Sequence, residues 1–136
     1  VTLDIGDFSN IHPANKQEVG MRLARLALVN EYGSNLNPLG PILTLSSTEK
    51  SNVELEFEHV GSGLKLKQSE VNEFEIAGGD MEFFKANTFV TRNKLILSSK
   101  NVTLPKYVRY AWSDTPKATL FNSDDFPASS FLHKVD

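Results

Sequence analysis

The stretch VELEFE at residues 53–58 places an apolar residue at every second position. Strict alternation of this kind is typical of a β-strand that has one face in a core and the other in water. The same period recurs at residues 64–67, 74–76 and 108–112, and turns rich in Gly, Asn and Ser separate these segments. With further strand candidates at residues 41–45, 83–90 and 94–97, the pattern predicts about seven short strands in an antiparallel β-sandwich.

A turn at Gly61-Ser62 would join the second and third of these strands as a hairpin. A two-residue loop sets apolar side chains opposite each other and glutamate opposite lysine. The expected pairs are Glu58 with Lys65, Phe57 with Leu66 and Glu56 with Lys67. A three-residue loop would instead set Glu58 against Leu66. We therefore predict the shorter loop, with positive φ at Gly61.

Residues 15–32 (NKQEVGMRLARLALVNEY) have a different period, because apolar residues recur every three or four positions. This spacing predicts one amphipathic helix. Asn15, followed three residues later by a glutamate, forms the pattern of a capping box, and Gly33 stands where the helix would end. Two apolar sets leave only a narrow polar strip around Arg22 and Arg25, so we expect other elements to cover the helix on more than one side.

Residues 34–41 (SNLNPLGP) have the composition of a linker, with two prolines, two asparagines and a glycine. The sequence thus predicts three parts: residues 1–33, a linker at residues 34–40 and a β domain at residues 41–136. The chain opens directly in an apolar, β-branched run at residues 1–5, which we interpret as a strand. We expect such a start in a domain excerpt, because a strand needs neighbours.

Charge and cysteine content narrow the possible classes of function. The 136 residues carry 14 Lys and Arg against 17 Asp and Glu, a net charge of −3, which argues against a nucleic-acid partner. Cysteine is absent, so disulfides, thiolate zinc sites and cysteine nucleophiles are excluded. The spacing of the His, Asp and Glu residues does not bring three metal ligands together, and we interpret the pair Asp124-Asp125 as part of a turn. We predict no metal, no cofactor, no signal peptide and no membrane span.

Three histidines are candidates for chemistry. His12 lies between the first predicted strand and the helix, where loop residues of α/β enzymes carry out catalysis, although a loop histidine can equally cap the helix. Asp4 and Asp7 lie close upstream and could orient its ring. His59 and His133 are interpreted as solvent-exposed residues that take no part in the chemistry. No serine stands in G-x-S-x-G, so the residues offer His12 no convincing nucleophile.

Residues 107–116 hold two of the three tyrosines and the only tryptophan. Val108, Tyr110 and Trp112 share one face of the predicted strand. We interpret this face as core, because the opposite face has a more solvent-exposed composition. The alternative is a surface on which sugars stack, as part of a non-catalytic carbohydrate-binding or accessory module. Burial of the two aromatic rings would exclude that alternative, and an exposed strip beside a groove would favour it.

Two long stretches resemble the C-terminal part of the sialate O-acetylesterase family, relatives of the SGNH hydrolases. They are DIGDFSNIHPANKQEVGMRLARLAL at residues 4–28 and VRYAWSDTPKATLFNSDDFPASSF at residues 108–131. The resemblance covers essentially the whole chain. It implies that residues 1–33 are the last strand, catalytic-histidine loop and helix of an α/β (SGNH-like) domain, followed by a β-sandwich.

The resemblance to this family implies a serine esterase that removes O-acetyl groups from sugars and needs no cofactor. By this resemblance His12 would be the general base, while the serine and oxyanion-hole blocks lie outside these residues. The family usually carries an acidic residue two or three positions before the histidine, where this chain has Asn10 and Ser9. Asn10 could orient the ring, Asp7 could reach it, or the site could work as a dyad.

The resemblance also implies properties of the chain on its own. Without a nucleophile it should be inactive, and its O-acetylated carbohydrate substrate would bind through the missing catalytic domain. A helix deprived of its sheet would expose apolar surface, which would favour self-association. Family habit suggests the periplasm or secretion.

Overall fold

The computed structural model describes residues 1–67 and 72–135. Within these residues one α-helix precedes ten β-strands. The elements are α1 Lys16–Tyr32, β1 Ile42–Glu49, β2 Asn52–Glu58, β3 Leu64–Leu66, β4 Phe74–Ala77, β5 Phe83–Lys85, β6 Asn87–Thr91, β7 Lys94–Ser98, β8 Tyr107–Tyr110, β9 Leu120–Asn122 and β10 Phe131–Lys134. No helix in this part of the chain is long and apolar enough to cross a membrane.

The strands form two four-stranded sheets, in the orders β1-β2-β7-β6 and β10-β8-β4-β5, and β3 pairs separately with β9. Every pairing between these strands is antiparallel. Buried and partly exposed residues alternate along β2, β4, β7 and β8, so each sheet turns one face inward. The predicted fold, a mainly β antiparallel sandwich with a single helix near the N-terminus, is confirmed.

The core lies between the inner faces of the two large sheets. Its fully buried side chains come from β2 and β7 on one side and from β4 and β8 on the other: Val53, Leu55, Leu95 and Leu97 against Phe74, Ile76, Val108 and Tyr110. The ring of Tyr110 stacks on Phe74 with centroids 4.5 Å apart. Its hydroxyl accepts the backbone N–H groups of Thr119 (2.8 Å) and Leu120 (2.9 Å), which fixes the start of β9 beneath β8.

The predicted hairpin between residues 53–58 and 64–67 is wrong. β2 lies between β1 and β7, with Phe57 opposite Leu43, and β3 pairs with β9. Gly61 does have the predicted positive φ, 63°. The turn around Gly61 connects β2 to β3, which pairs with β9 and not with β2. Val60 O accepts the N–H groups of both Gly63 and Ser123, so the turn is held against the residue that follows β9.

The charge complementarity that suggested this hairpin is satisfied elsewhere. Lys94 on β7 contacts Glu54 at 2.6 Å and Glu56 at 2.8 Å. Lys65 and Lys67 instead lie 3.5 Å from Asp125. Alternation of glutamate and lysine therefore specified the exposed faces correctly, but it did not distinguish one neighbouring strand from another.

The strand expected at residues 1–5 is a turn, in which the N–H of Ile5 donates to Thr2 O at 3.2 Å. A strand requires a hydrogen-bonding neighbour, and none of the ten described strands pairs with this segment. The count of about seven strands was also low. Residues 83–90 divide into β5 and β6 at the buried Ala86, and the sequences of the short strands β9 (LFN) and β10 (FLHK) do not alternate between apolar and polar residues.

The helix follows its predicted bounds. Asn15 Oδ1 accepts the N–H of Glu18 at 3.2 Å, and Gly33, with φ 65°, ends the helix through its N–H bond to Leu28 O. No residue of α1 is fully buried. The guanidinium groups of Arg22 and Arg25 lie 5.6 and 4.8 Å from the ring centroid of Phe126, so the polar strip faces the β domain.

Part of the apolar surface of α1 points the other way. The side chains there that are strongly exposed are Met21 (51%), Leu23 (62%), Leu28 (42%) and Tyr32 (78%). The expectation that α1 is covered on more than one side is therefore not met by the described residues. Val19, Leu26 and Val29 are partly buried on the side of the two arginines, so α1 turns one part of its apolar surface to the β domain and leaves the other part in water.

Residues 34–40 are closely packed on the β domain. Arg25 Nη2 donates to Asn37 O at 2.9 Å, and Asn37 Nδ2 donates to His59 O at 3.0 Å. A Cβ on Gly40 would lie 2.0 Å from Pro127 O, so only glycine allows this approach. The segment has the composition of a linker but the contacts of a fixed connection. The predicted division into domains at this segment stays a prediction.

Candidate functional site

His12 lies in an exposed loop between the N-terminal turn and α1. Its backbone N–H donates to Asn10 Oδ1 at 2.9 Å, which forms a local turn just before Pro13. No side chain among the described residues hydrogen-bonds to the His12 ring, and the residue is exposed. The helix is capped by Asn15, not by the histidine. His12 is therefore presented to solvent with both ring nitrogens available.

Asp4, which could have oriented the His12 ring, is bound elsewhere. Its two carboxylate oxygens accept from Arg22 at 2.8 and 2.7 Å, a bidentate pair whose side chains are only 12% (Arg22) and 17% (Asp4) exposed. Arg22 also donates to Val1 O at 2.7 Å. These contacts fasten the N-terminal turn to α1, so Asp4 positions the loop and does not contact the imidazole.

Asp7 is also occupied. Its Oδ1 accepts both the hydroxyl of Ser9 (2.6 Å) and the N–H of Ser9 (2.9 Å). These hydrogen bonds, that of the Ser9 hydroxyl first, hold the pKa of the Asp7 carboxyl below its ordinary value. In this structure neither Asp4 nor Asp7 reaches the His12 ring, and the side chain of Asn10 accepts the backbone N–H of His12.

The other two histidines have different surroundings. His59 is exposed, and its Nδ1 lies 3.3 Å from Asn37 Oδ1. His133 is partly buried, and its Nε2 lies 2.8 Å from Ser46 Oγ, so His133 is not the solvated bystander that the sequence suggested. The hydrogen bond links β1 of one sheet to β10 of the other. Because the two residues are 87 positions apart, no local motif could have indicated it.

The aromatic face predicted at residues 108–112 breaks at Ala111. Tyr110 is fully buried, as the core interpretation predicts, whereas Trp112 is 50% exposed. Ala111 has a φ of 50°, and its N–H donates to Glu73 O at 3.0 Å. This left-handed conformation costs an alanine roughly 1–2 kcal/mol and turns the next side chain out of the sheet. The aromatic strip that would have favoured a broad stacking surface is reduced to one ring.

A charged cluster lies beside Trp112. Glu75 accepts from Arg109 Nε at 2.6 Å and from Lys85 Nζ at 3.2 Å. Burial acts to raise the pKa of the Glu75 carboxyl, but the hydrogen bonds from Arg109 and Lys85 outweigh it, so that the pKa lies below its ordinary value. Arg109 also stacks over the Phe83 ring at 4.1 Å. The cluster is therefore ionised and held in place.

No group of three His, Asp or Glu side chains in the described ranges is placed to hold a metal ion. The arrangement offers the exposed imidazole of His12, in a loop anchored to α1, and within residues 1–67 and 72–135 no hydroxyl is placed to be its nucleophile. A base of this kind acts only when another part of a protein brings the nucleophile within hydrogen-bond reach.

Fold and sequence together relate this chain to a carbohydrate esterase. The crystal structure of a carbohydrate acetylesterase from Xanthomonas citri superposes with a TM-score of 0.89 at 37% sequence identity. The match covers 96% of this chain and 31% of that protein, so the chain spans about a third of the length of the esterase. No protein-family model matches the sequence, and no curated protein matches it significantly.

Proposed function

We propose that this chain is one part of a carbohydrate O-acetylesterase of the sialate O-acetylesterase type, whose remaining domains carry the serine nucleophile. The observation that supports it best is the 37% identity and the TM-score of 0.89 to a carbohydrate acetylesterase over 96% of the chain. Conservation of both sequence and fold at this level makes a shared role the simplest explanation.

In the proposed reaction His12 takes the proton of the serine hydroxyl as that oxygen adds to the acetyl carbonyl. The bond between the carbonyl carbon and the sugar oxygen then breaks, and the imidazolium gives its proton to that leaving oxygen, which becomes the sugar hydroxyl. Water, deprotonated by the same ring, releases acetate and restores the serine. An exposed ring to which no described side chain hydrogen-bonds is suited to this exchange. Because Asp4 and Asp7 are occupied by Arg22 and Ser9, the contacts favour a Ser–His dyad.

The exposed apolar side of α1 fits the same proposal. If an α/β catalytic domain covers the outer face of the helix, then Met21, Leu23 and Leu28 would be buried there. The chain alone leaves these side chains in water. We therefore propose that the isolated chain self-associates through this face.

Self-association is expected to appear as a concentration-dependent increase in mass by light scattering. Leu23→Glu places a charge at the centre of the face and is expected to give a monomer. Leu104→Glu, at a residue 74% exposed in the β domain, is the matched control and should behave as the unmodified chain. A monomeric chain at all concentrations, or equal effects of both substitutions, would contradict this arrangement.

The isolated chain is expected to be inactive, because a base without a nucleophile or an oxyanion hole does not hydrolyse esters. Release of phenol from an aryl acetate should equal the buffer rate. The polypeptide extended by the proposed catalytic domain should hydrolyse the same ester and release acetate from acetylated glycans. Turnover by the 136-residue chain that His12→Ala abolishes would refute this division of the site, and an inactive extended polypeptide would refute the esterase itself.

A further inference from the structure

Trp112 lies between two depressions on the surface of the β domain. One, of about 360 Å³, is bounded by the charged cluster of β4, β5 and β8 and by residues 113–117. The other, of about 290 Å³, lies against Ala111, Ser113, Asp114 and Ser130. The larger depression falls within the ~300–1,000 Å³ typical of small-molecule sites. The exposed ring thus forms a wall shared by both.

The polar groups around the larger depression are only partly used by the protein. Glu73 is 7% exposed, and one of its carboxylate oxygens accepts the N–H of Lys117 at 3.0 Å. Among the described residues no donor reaches its second oxygen, and nothing pairs with the Lys117 ammonium group. Arg109 uses Nε for Glu75, which leaves its terminal nitrogens without a hydrogen-bond acceptor in the same part of the chain.

These groups offer donors and acceptors in the same place. Ser113 and Thr115 add hydroxyl groups to the carboxylate of Glu73 and the ammonium of Lys117. The two glutamates and three cations that line this depression nearly cancel, which does not favour a strongly charged ligand. A ligand suited to the site therefore has one flat apolar face and a rim of hydroxyls that both donate and accept.

A pyranose ring has this combination. Its C–H groups form a flat apolar face that can lie on an indole ring, and its equatorial hydroxyls project outward to polar partners. The left-handed Ala111 holds Trp112 out of the sheet, so the ring is presented before any ligand arrives. A single fixed ring with polar groups on one side suits one sugar unit of a longer chain, with neighbouring units in the second depression.

We propose that Trp112 and the groove formed by Glu73, Arg109 and Lys117 bind a neutral saccharide chain, as a subsite of the β domain separate from His12. This proposal goes beyond the esterase function and does not depend on it, because the saccharide needs no acetyl group. The test therefore uses unacetylated ligands and the 136-residue chain.

Trp112 is the only tryptophan, so its fluorescence reports directly on the groove. We expect neutral oligosaccharides of four to six units, taken from cellulose, xylan, xyloglucan and mannan, to shift or quench its emission in a saturable way for at least one series. Calorimetry on Trp112→Ala should then show at least about a tenfold rise in Kd, as expected for loss of an aromatic anchor. Trp112→Phe should lose less affinity than Trp112→Ala, and Lys117→Ala should also raise Kd by a smaller factor than Trp112→Ala does.

Phe89→Ala is the matched control, since Phe89 is 65% exposed on β6 of the other sheet. It should leave Kd unchanged. Failure of all four series to bind at millimolar concentration would overturn the proposal, as would equal losses in Phe89→Ala and Trp112→Ala. Binding only of sialylated or uronic acid oligosaccharides, lost with Lys117→Ala but not with Trp112→Ala, would also overturn it and indicate recognition of charge.

Discussion

Replacing Asn122 by alanine is expected to lower the free energy of unfolding by about 3–4 kcal/mol, because each buried polar group left unpaired costs ~1–3 kcal/mol. Asn122 is 0% exposed and makes four hydrogen bonds to backbone groups. Its Nδ2 donates to Leu39 O and His59 O, both at 2.9 Å. Its Oδ1 accepts the N–H groups of Asp124 (3.0 Å) and Phe126 (2.9 Å). Alanine removes all four hydrogen bonds at once: His59 O keeps the bond from Asn37 Nδ2, but Leu39 O and the N–H groups of Asp124 and Phe126 each lose the partner that Asn122 supplied.

The consequences of this substitution should extend to α1. Asn122 ties together the connection at residues 34–40, the turn at His59 and the loop that carries Phe126. The arginines of α1 rest on the Phe126 ring. In the variant, hydrogen exchange should therefore become faster in residues 34–40 and in α1 around the two arginines, in addition to the loss of global stability.

Urea unfolding followed by Trp112 fluorescence and by circular dichroism measures the loss of global stability, and hydrogen exchange of the folded chain measures the local effect. Asn35→Ala is the matched control, because Asn35 is exposed and none of its side-chain atoms makes a hydrogen bond within residues 1–67 or 72–135. The control should stay within about 0.5 kcal/mol of the unmodified chain. A loss below about 1 kcal/mol in Asn122→Ala would show that water restores the four hydrogen bonds.

The parts of the fold that were predictable from sequence are those that local periodicity specifies. Residues 53–58 alternate because β2 lies in a sheet with one buried face, and residues 15–32 follow the helical period. Periodicity states which side chains share a face, but not which strand is the neighbour. The hairpin at Gly61 failed for that reason: several strands in this chain present alternating charges.

The orientation of α1 shows a second limit. Sequence identified the apolar face of α1 and the polar strip of Arg22 and Arg25, but the orientation depends on what the β domain offers. Phe126 offers an aromatic face to two guanidinium groups, and Asn37 offers a backbone carbonyl. The contacts with Phe126 join residues about a hundred positions apart, and neither they nor a bond to a backbone carbonyl leave a local sequence pattern.

For the candidate site, sequence located His12 correctly in a loop before a capped helix but overestimated its acidic neighbours. Asp4 was a candidate because it is near in sequence, yet the bidentate geometry of Arg22 on the next helix matches a carboxylate better than an imidazole does. Trp112 was assigned to the core by alternation, which assumes an extended backbone. The backbone is not extended at Ala111, which has a positive φ, and alanine is not a residue type from which a positive φ is predicted.

In the extended polypeptide of the proposed function, His12→Ala is expected to lower kcat by about 10²–10⁴, the contribution of a positioned general base. KM should change little, because the ring acts on the serine proton and not on the sugar. Thermal stability should also be unchanged, since no described side chain depends on the ring. Initial rates on an aryl acetate, with circular dichroism of each variant, measure these three quantities.

His59→Asn is the matched control, because His59 is also exposed and asparagine tolerates its φ of 57°. It should retain full activity. Asn10→Asp restores a carboxylate two positions before His12, and its oxygen can still accept the His12 N–H that Asn10 now accepts. A nearby negative charge stabilises the imidazolium that forms when the ring takes a proton, so kcat should rise several-fold. Full activity in His12→Ala would exclude His12 as the base, whereas an unchanged kcat in Asn10→Asp would show that the turn holds the new carboxylate away from the ring.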